Sequence, residues 1–259
     1  MASHAIRLHG VTYSYTRRPL IAGFDLDIAP GEVTSIVGPN GCGKSTLLKI
    51  IDGLVTPHAG EVMIGGQPAR SLGGKARARR IALLPQGVRP PVMSVEALVA
   101  CGRYPHHHGL RRLGPGDREH IDAALTSTGI AHLRDQDVRH LSGGERQRAY
   151  IALILAQDTD IILMDEPTTY LDVHACHEIM GLVRQLNAAG KTIIMVNHDI
   201  DLALRYSDRV AVMAGGRLLG LGDVAETLAS GVIERAFHVS VDRIESANGI
   251  AYAVFPVKA

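Results

Sequence analysis

The feature that most constrains this sequence is a nine-residue segment, GPNGCGKST, at residues 38–46. It follows the β-branched run VTSIV and precedes LLKIIDGL, whose apolar spacing is typical of a helix ending at a glycine. Glycines let the backbone N–H groups of such a loop point inward at phosphate oxygens, and the following helix adds the positive end of its dipole. Strand, glycine loop and helix in this order predict a phosphate-binding loop made of Gly38, Pro39, Asn40, Gly41, Cys42, Gly43, Lys44, Ser45 and Thr46.

Three side chains of this loop have predicted roles. Lys44 supplies a mobile cation for the β- and γ-phosphates of a nucleotide, and the Ser45 hydroxyl can ligate Mg²⁺. Cys42 is expected to lie where the loop wraps the phosphates, so a bulky thiol reagent on it should crowd the nucleotide.

The rest of the chain alternates between strand and helix patterns, except in one stretch. Strand-like alternation fills residues 6–37, EVMIGGQPA predicts a hairpin, and strand–helix alternation resumes after residue 156. Residues 87–155 lack strand signals and read as capped helices, one of them starting at Asp117. The sequence therefore predicts one α/β domain over 1–259, with a core and β-subdomain at 1–86 and 156–259 and a helical subdomain at 87–155. Near the end, DVAETLASGVIERAF is expected to form one helix.

Two acids follow the apolar run IILM and form a second candidate site. In parallel α/β sheets, ligands gather at the carboxyl ends of the strands, which is where Asp165 and Glu166 should lie. Asp165 is placed to hold Mg²⁺, directly or through water. Glu166 is placed to polarise an attacking water molecule.

A third motif, LSGGERQR, opens a helix with a serine and two glycines. This arrangement predicts a second anion site, formed by Ser142, Gly143, Gly144 and Glu145. One triphosphate does not need two such loops. The second loop makes sense if each chain lends it to the nucleotide of a neighbouring chain.

In their order along the chain, these motifs resemble those of the ATP-binding subunits of ABC transporters. LSGGERQR is the most specific of them, and the resemblance extends over nearly the whole sequence. It implies a RecA-like P-loop NTPase core with an antiparallel β-subdomain and an inserted α-helical subdomain. It also implies an ATPase that uses ATP and Mg²⁺.

The resemblance assigns further roles by position. Tyr15, rather than the less favoured Tyr13, would stack on adenine, and Gln86 would sense Mg²⁺ and water. Asp172 would lie in the D-loop that touches the opposite subunit, and His198 would contact the γ-phosphate. The implied catalytic set is Glu166, His198, Gln86 and Lys44, and the implied Mg²⁺ set is Ser45, Gln86 and Asp165.

The phrases GRYPHH and AQDTDIILMDEPTTYLD are similar to those of importers of ferric siderophores, haem and vitamin B12, with siderophores favoured. The implied partners are a second ATPase copy in a homodimer, polytopic membrane permease subunits docked near residues 87–112 and, indirectly, an extracytoplasmic substrate-binding protein. The implied location is the cytoplasmic face of the inner membrane. A soluble ABC ATPase of the iron–sulfur assembly type is the alternative, and co-purification with a permease would separate the two.

Composition narrows the remaining choices. A net charge of +1, no Trp and 4% aromatic residues argue against a nucleic-acid partner. The longest apolar stretches are far shorter than the roughly 20 residues of a spanning helix. The run His106, His107 and His108 is expected to be a solvated loop, and Cys101 and Cys176 are expected to be packing residues.

Overall fold

A computed structural model describes residues 4–107, 113–247 and 249–257. The strands β1 to β12 are Ile6–Tyr13, Ile21–Ile28, Val33–Val37, Ala59–Ile64, Gln67–Pro68, Ile81–Leu84, Ile161–Asp165, Thr192–Val196, Arg209–Ala214, Arg217–Gly222, Val239–Ser246 and Gly249–Pro256. The helices α1 to α9 are Lys44–Asp52, Gly74–Ala78, Val95–Ala100, Pro115–Ser127, Gly143–Ala156, Val173–Ala188, Ile200–Tyr206, Val224–Ala229 and Val232–Phe237. Short 3-10 segments lie at Ala69–Ser71, Cys101–His106, Ala131–Leu133 and Val138–His140.

A six-stranded sheet forms the centre of the molecule, in the order β10-β9-β3-β8-β7-β6. The pairings from β9 to β6 are parallel, and only β10 joins antiparallel. Every residue of β3, β7 and β8 is buried, as strands covered on both faces must be. The sequence prediction of buried parallel strands at VTSIV and IILM is confirmed, and both strands deliver their following residues to the same sheet edge.

A second, four-stranded antiparallel sheet has the order β2-β1-β4-β5. Its β4 and β5 form the predicted hairpin, with Ile64 opposite Gln67 and two glycines at the tip. Apolar side chains of this sheet, such as Ile6 and Phe24, share one buried cluster with Leu47 of α1 and Leu163 of β7. The antiparallel sheet is thereby packed onto the helix that follows the phosphate loop.

Helices α3, α4 and α5 occupy the region between β6 and β7. Within residues 85–107 and 113–160 the structure has no strand, only one isolated bridge between Ser94 and Asp137. Leu125 and Ile151 of these helices share a buried cluster with Met164 of β7. The α/β fold class with its antiparallel sheet and helical insertion is confirmed, while the boundaries at 87 and 155 stay predictions.

Two helix predictions need correction. Helix α4 begins at Pro115 instead of Asp117, because the Asp117 carboxylate accepts the Gly114 N–H from the third helical position. The single helix expected over DVAETLASGVIERAF is two helices, α8 and α9, because Gly231 between them has a φ of 64° that breaks the helical backbone. No helix of the described ranges is long and apolar enough to cross a membrane.

The expected solvated histidine loop is wrong for His106 and His107, which are half-buried and hydrogen-bonded. Nε2 of His106 lies 2.8 Å from the Gln157 carbonyl oxygen, and Nε2 of His107 lies 3.1 Å from Asp117 Oδ2. The Gly114 N–H, followed by the side chains of Arg103 and His107, lowers the pKa of Asp117 to about 2. These histidines therefore anchor a 3-10 segment, and His108 lies outside the described residues.

Candidate nucleotide-binding site

The phosphate loop connects β3 to α1 through backbone shapes that only glycine suits. A Cβ on Gly38 would lie 2.0 Å from the Met213 carbonyl oxygen, so no larger residue fits there. Gly43 caps α1 with a φ of 106°, which L side chains rarely adopt. The loop thus follows the adjacent strand β9 closely and then turns sharply into the helix.

Lys44 is a buried cation at the start of α1. Its side chain is almost covered, at 5% exposure, and Nζ donates to the carbonyl oxygens of Gly38 at 2.7 Å and Pro39 at 3.2 Å. Among the described residues no carboxylate forms an ion pair with it. Because an ammonium has three N–H donors and two carbonyl oxygens of the described residues accept from it, one donor remains that an external anion could use.

Ser45 and Asp165 meet at the mouth of the loop. The Ser45 hydroxyl donates to Asp165 Oδ1 at 2.9 Å, and the Asp165 side chain is buried. Burial raises the pKa of Asp165, and the negative charge of Glu166 acts in the same direction, while the Ser45 hydrogen bond opposes them. A nearby cation would offset that cost, and hydroxyl and carboxylate oxygens are the ligands that Mg²⁺ prefers, so this pair fits the ion.

Glu166 is held by donors from three separate parts of the chain. Its backbone has a φ of 54°, and its N–H donates to the Val196 carbonyl. Nε2 of Gln86 donates to Glu166 Oε2, and Nε2 of His198 contacts Oε1. The Thr169 hydroxyl donates to Oε2 at 3.0 Å. The sequence did not predict a role for Thr169. The available signal was its position three residues after Glu166, from which a hydroxyl can reach the carboxylate within one turn.

One cleft of about 430 Å³ unites all four predicted catalytic residues. Gln86, Glu166 and His198 face the loop across it. Its lining is Leu20, Asn40, Gly41, Gly43, Lys44, Ser45, Thr46, Gln86, Glu166 and His198. The carboxyl ends of β3, β6, β7 and β8 all reach this edge of the sheet, as expected for a parallel α/β ligand site.

Tyr15 does not line this cleft. Its ring is 61% exposed and meets Tyr13 edge to face at a centroid distance of 4.9 Å, while Tyr13 also packs on His58. Tyr15 is therefore the more exposed of the two rings, whereas Tyr13 is half-buried. Its role in stacking on adenine stays a prediction.

Ser142 and Glu145 form a reciprocal cap at the start of α5. The Ser142 hydroxyl accepts the Glu145 N–H at 3.3 Å, and the Glu145 carboxylate accepts the Ser142 N–H at 2.9 Å. Hydrogen bonds from Ser142 lower the pKa of Glu145. The N–H groups of Gly143 and Gly144 have no acceptor within the described ranges. These two donors at a helix N-terminus are suited to an anion.

The serine–glycine motif and Asp172 line a second cleft, of about 390 Å³. Asp172 caps α6 by accepting the Ala175 N–H at 2.8 Å. The neighbouring Tyr170 has a φ of 66° and is 92% exposed. Lys44 does not line this cleft, so the two predicted anion sites of one chain open at separate places.

The predictions for Cys42 and Cys101 need correction, whereas that for Cys176 does not. Cys42 belongs to the buried apolar cluster with Leu47 and Met213, so its thiol lies beneath the phosphate loop instead of beside the phosphates. Burial raises the pKa of the Cys42 thiol, and Lys44 opposes this effect. Cys101 is exposed and does not pack in the core, whereas Cys176 is half-buried against it.

The fold and the site together define a P-loop nucleoside triphosphatase. The family described as ABC transporter matches residues 21–169. The petrobactin import ATP-binding protein of Bacillus anthracis is 40% identical over 237 residues, which cover 91% of this chain and 87% of that protein. The ferric enterobactin transport ATP-binding protein of Escherichia coli strain K12 is 40% identical, covering 92% and 89%.

A solved structure gives the same result at the level of the fold and sequence. It is the dimeric, post-hydrolysis state of an ATP-binding cassette bound to ADP and Pi, with 29% identity, a TM-score of 0.73 and coverage of 85% of this chain and 98% of that one. This chain belongs to the ABC transporter family, among the subunits that hydrolyse ATP to drive transport.

Proposed function

We propose that this chain is the ATP-hydrolysing motor of an ABC importer for ferric siderophores. The observation that carries the ATPase function is that Lys44, which is buried and forms no ion pair among the described residues, lines one cleft with the acid Glu166. The assignment of the cargo depends on the relatives, because two of them are named for petrobactin import and ferric enterobactin transport. A motor subunit does not need to touch its cargo, so kinship is the only guide to it.

In this proposal each residue of the cleft has one task. Lys44 and the loop N–H groups hold the β- and γ-phosphates, and His198 contacts the γ-phosphate from the opposite wall. Ser45, Asp165 and Gln86 hold Mg²⁺, which when bound neutralises charge on those phosphates. Glu166 orients the attacking water, and Tyr15 stacks on adenine.

Two copies of the chain complete the site. Because Ser142 and Lys44 line separate clefts, each ATP would lie between Lys44 of one copy and the Gly143 and Gly144 N–H groups of the other. A head-to-tail pair of this kind has two-fold symmetry and buries two equal sites. The exposed Tyr170 and the Asp172 turn would face the partner. The solved relative bound to ADP and Pi is itself a dimer, which supports this arrangement.

The permease is proposed to dock on residues 87–112, of which 108–112 lie outside the described ranges. This stretch and its border carry large apolar side chains at the surface: Val88, Val92, Tyr104 and Leu113. Gln86 lies directly before it and contacts Glu166, so closure of the site can reach this surface. The chain would then act at the cytoplasmic face of the inner membrane, with an extracytoplasmic binding protein engaged only through the permease.

Uptake of radiolabelled iron tests the whole proposal. Cells lacking this chain should lose uptake of ferric siderophores and regain it with the wild-type chain. Glu166→Gln should not restore uptake, because it removes the proton acceptor, a group worth roughly 10²–10⁴ in rate. The purified variant should bind ATP normally and lose hydrolysis to the same extent. Normal uptake with Glu166→Gln would contradict the motor function, and a defect confined to haem uptake would contradict the cargo.

A further inference from the structure

The Glu166 carboxylate is nearly enclosed by its own chain. Its side chain is 7% exposed, and both oxygens already have partners. Gln86 Nε2 and the Thr169 hydroxyl both donate to Oε2, whereas among the residues that the structure describes His198 Nε2 alone contacts Oε1. The three contacts come from the end of β6, the turn after β7 and the end of β8.

We propose that Thr169 is a positioning residue that, together with Gln86, saturates Oε2 and leaves Oε1 as the atom that takes the proton from the attacking water. An ionised carboxylate offers about four lone-pair sites, two on each oxygen. Two donors fill those of Oε2. One site on Oε1 remains beside His198, which lines the same cleft as Lys44.

The water oxygen forms a bond to the γ-phosphorus while its proton passes to Oε1 of Glu166. The bond between the γ-phosphorus and the β–γ bridging oxygen breaks, and ADP leaves with its electron pair. Thr169 touches neither water nor phosphate. It fixes the rotation of the carboxylate, so that Oε1 rather than Oε2 faces the cleft.

Thr169 also joins the base to the surface proposed to meet the second copy. It directly precedes the exposed Tyr170, and its segment ends at Asp172, the cap of α6. A partner docked on this segment would fix the Thr169 hydroxyl and, through it, the carboxylate. This part of the inference rests on the proposed dimeric ATPase.

The neighbouring threonine provides a matched control. Thr168 is half-buried, as Thr169 is. Its carbonyl oxygen accepts hydrogen bonds from the Leu171 N–H and the Cys176 thiol. Within the part of the chain that the structure describes, its hydroxyl has no hydrogen bond. Thr168→Val therefore makes the same chemical change one residue away without touching Glu166.

Steady-state ATPase should separate the variants. Thr169→Val and Thr169→Ala should lower kcat about tenfold, because the hydrogen bond that orients the charged carboxylate is lost. KM for ATP should stay within about twofold, because Thr169 does not touch the nucleotide. Thr169→Ser, which keeps the hydroxyl, should retain most of kcat. Thr168→Val should match the wild type.

Normal kcat in both Thr169→Val and Thr169→Ala, or an equal loss in Thr168→Val, would overturn the positioning role. Thermal unfolding of each variant identifies any that fail to fold, and the alanine and serine variants carry the comparison if valine does not fold. An inactive wild type would count against the proposed function instead. An active wild type with an inactive Glu166→Gln and an unaffected Thr169→Ala would reject only this inference.

Discussion

At the scale of single residues, burial decides which groups near the nucleotide can react. Lys44 and Cys42 are two residues apart and both buried, yet they face different surroundings. Lys44 lines the cleft and donates to two carbonyl oxygens of the loop, while Cys42 belongs to the apolar cluster under the loop. The same turn of chain therefore holds a cation available to phosphate and a thiol withdrawn from it.

Thiol labelling tests this difference. We expect a maleimide at neutral pH to modify Cys101 first, and Cys42 at least about tenfold more slowly, because the thiolate is the reactive form and burial raises the Cys42 pKa. The Cys42 rate should rise with pH, since more thiolate forms. Mass spectrometry of peptides measures each site, and Cys101→Ser is the control. Faster labelling of Cys42 than of Cys101 in the folded protein would show that the thiol faces solvent.

At the scale of the elements, Arg148 connects α5, the helix that begins in the LSGGERQR motif, to two other helices. Its guanidinium lies 2.7 Å from Glu178 Oε1 on α6 and donates to the Thr128 carbonyl at the end of α4 at 3.2 Å. Helix α5 carries Ser142, and α6 begins at Asp172. Arg148 therefore fixes the two borders of the second cleft relative to each other.

Removing this link should cost stability. Arg148→Ala should lower the free energy of unfolding by about 1–2 kcal/mol, because it removes an ion pair and leaves a helix-end carbonyl without its donor. Arg139→Ala breaks an exposed ion pair between residues two apart, Arg139 and Asp137, and should cost less. Urea denaturation followed by circular dichroism measures both. If both variants lost the same free energy of unfolding, the contacts of Arg148 with α4 and α6 would add no stability beyond that of an exposed ion pair.

At the scale of the whole molecule, the separation of the two anion clefts leads to a complementation test. Lys44→Ala and Ser142→Arg chains should each be inactive alone. A mixed dimer has two sites, and both substitutions can fall in one of them. The other site is then intact, because it combines Lys44 of the Ser142→Arg chain with Ser142 of the Lys44→Ala chain. For random pairing and independent sites, the mixture should recover about a quarter of wild-type ATPase.

Differently tagged chains allow the mixed dimers to be isolated and counted. Activity that follows the fraction of mixed dimers would establish the shared site. If mixed dimers form with ATP and remain inactive, the nucleotide is not held between Lys44 and Ser142 of different copies. Wild-type chains carrying the same tags control for effects of the tags on pairing.

The local motifs could be predicted from the sequence because their physics is local. The glycine loop between a strand and a helix, the acidic pair after IILM and the cap formed by Ser142 and Glu145 all depend on residues within a few positions of each other. The buried parallel strands could be predicted from the short β-branched run VTSIV and the apolar run IILM. Together these features pointed to the class of protein and to nearly all residues of the cleft.

Only the tertiary structure decided which side chains are buried and which donors meet each oxygen of the Glu166 carboxylate. Cys42 is buried because Gly38 runs against Met213, and His107 is half-buried because Asp117 packs beside it. The contacts on Oε1 and Oε2 of Glu166 come from chain segments that converge only when β6, β7 and β8 pair in one sheet. No local sequence pattern predicts these contacts, because burial and donor geometry depend on residues distant in sequence.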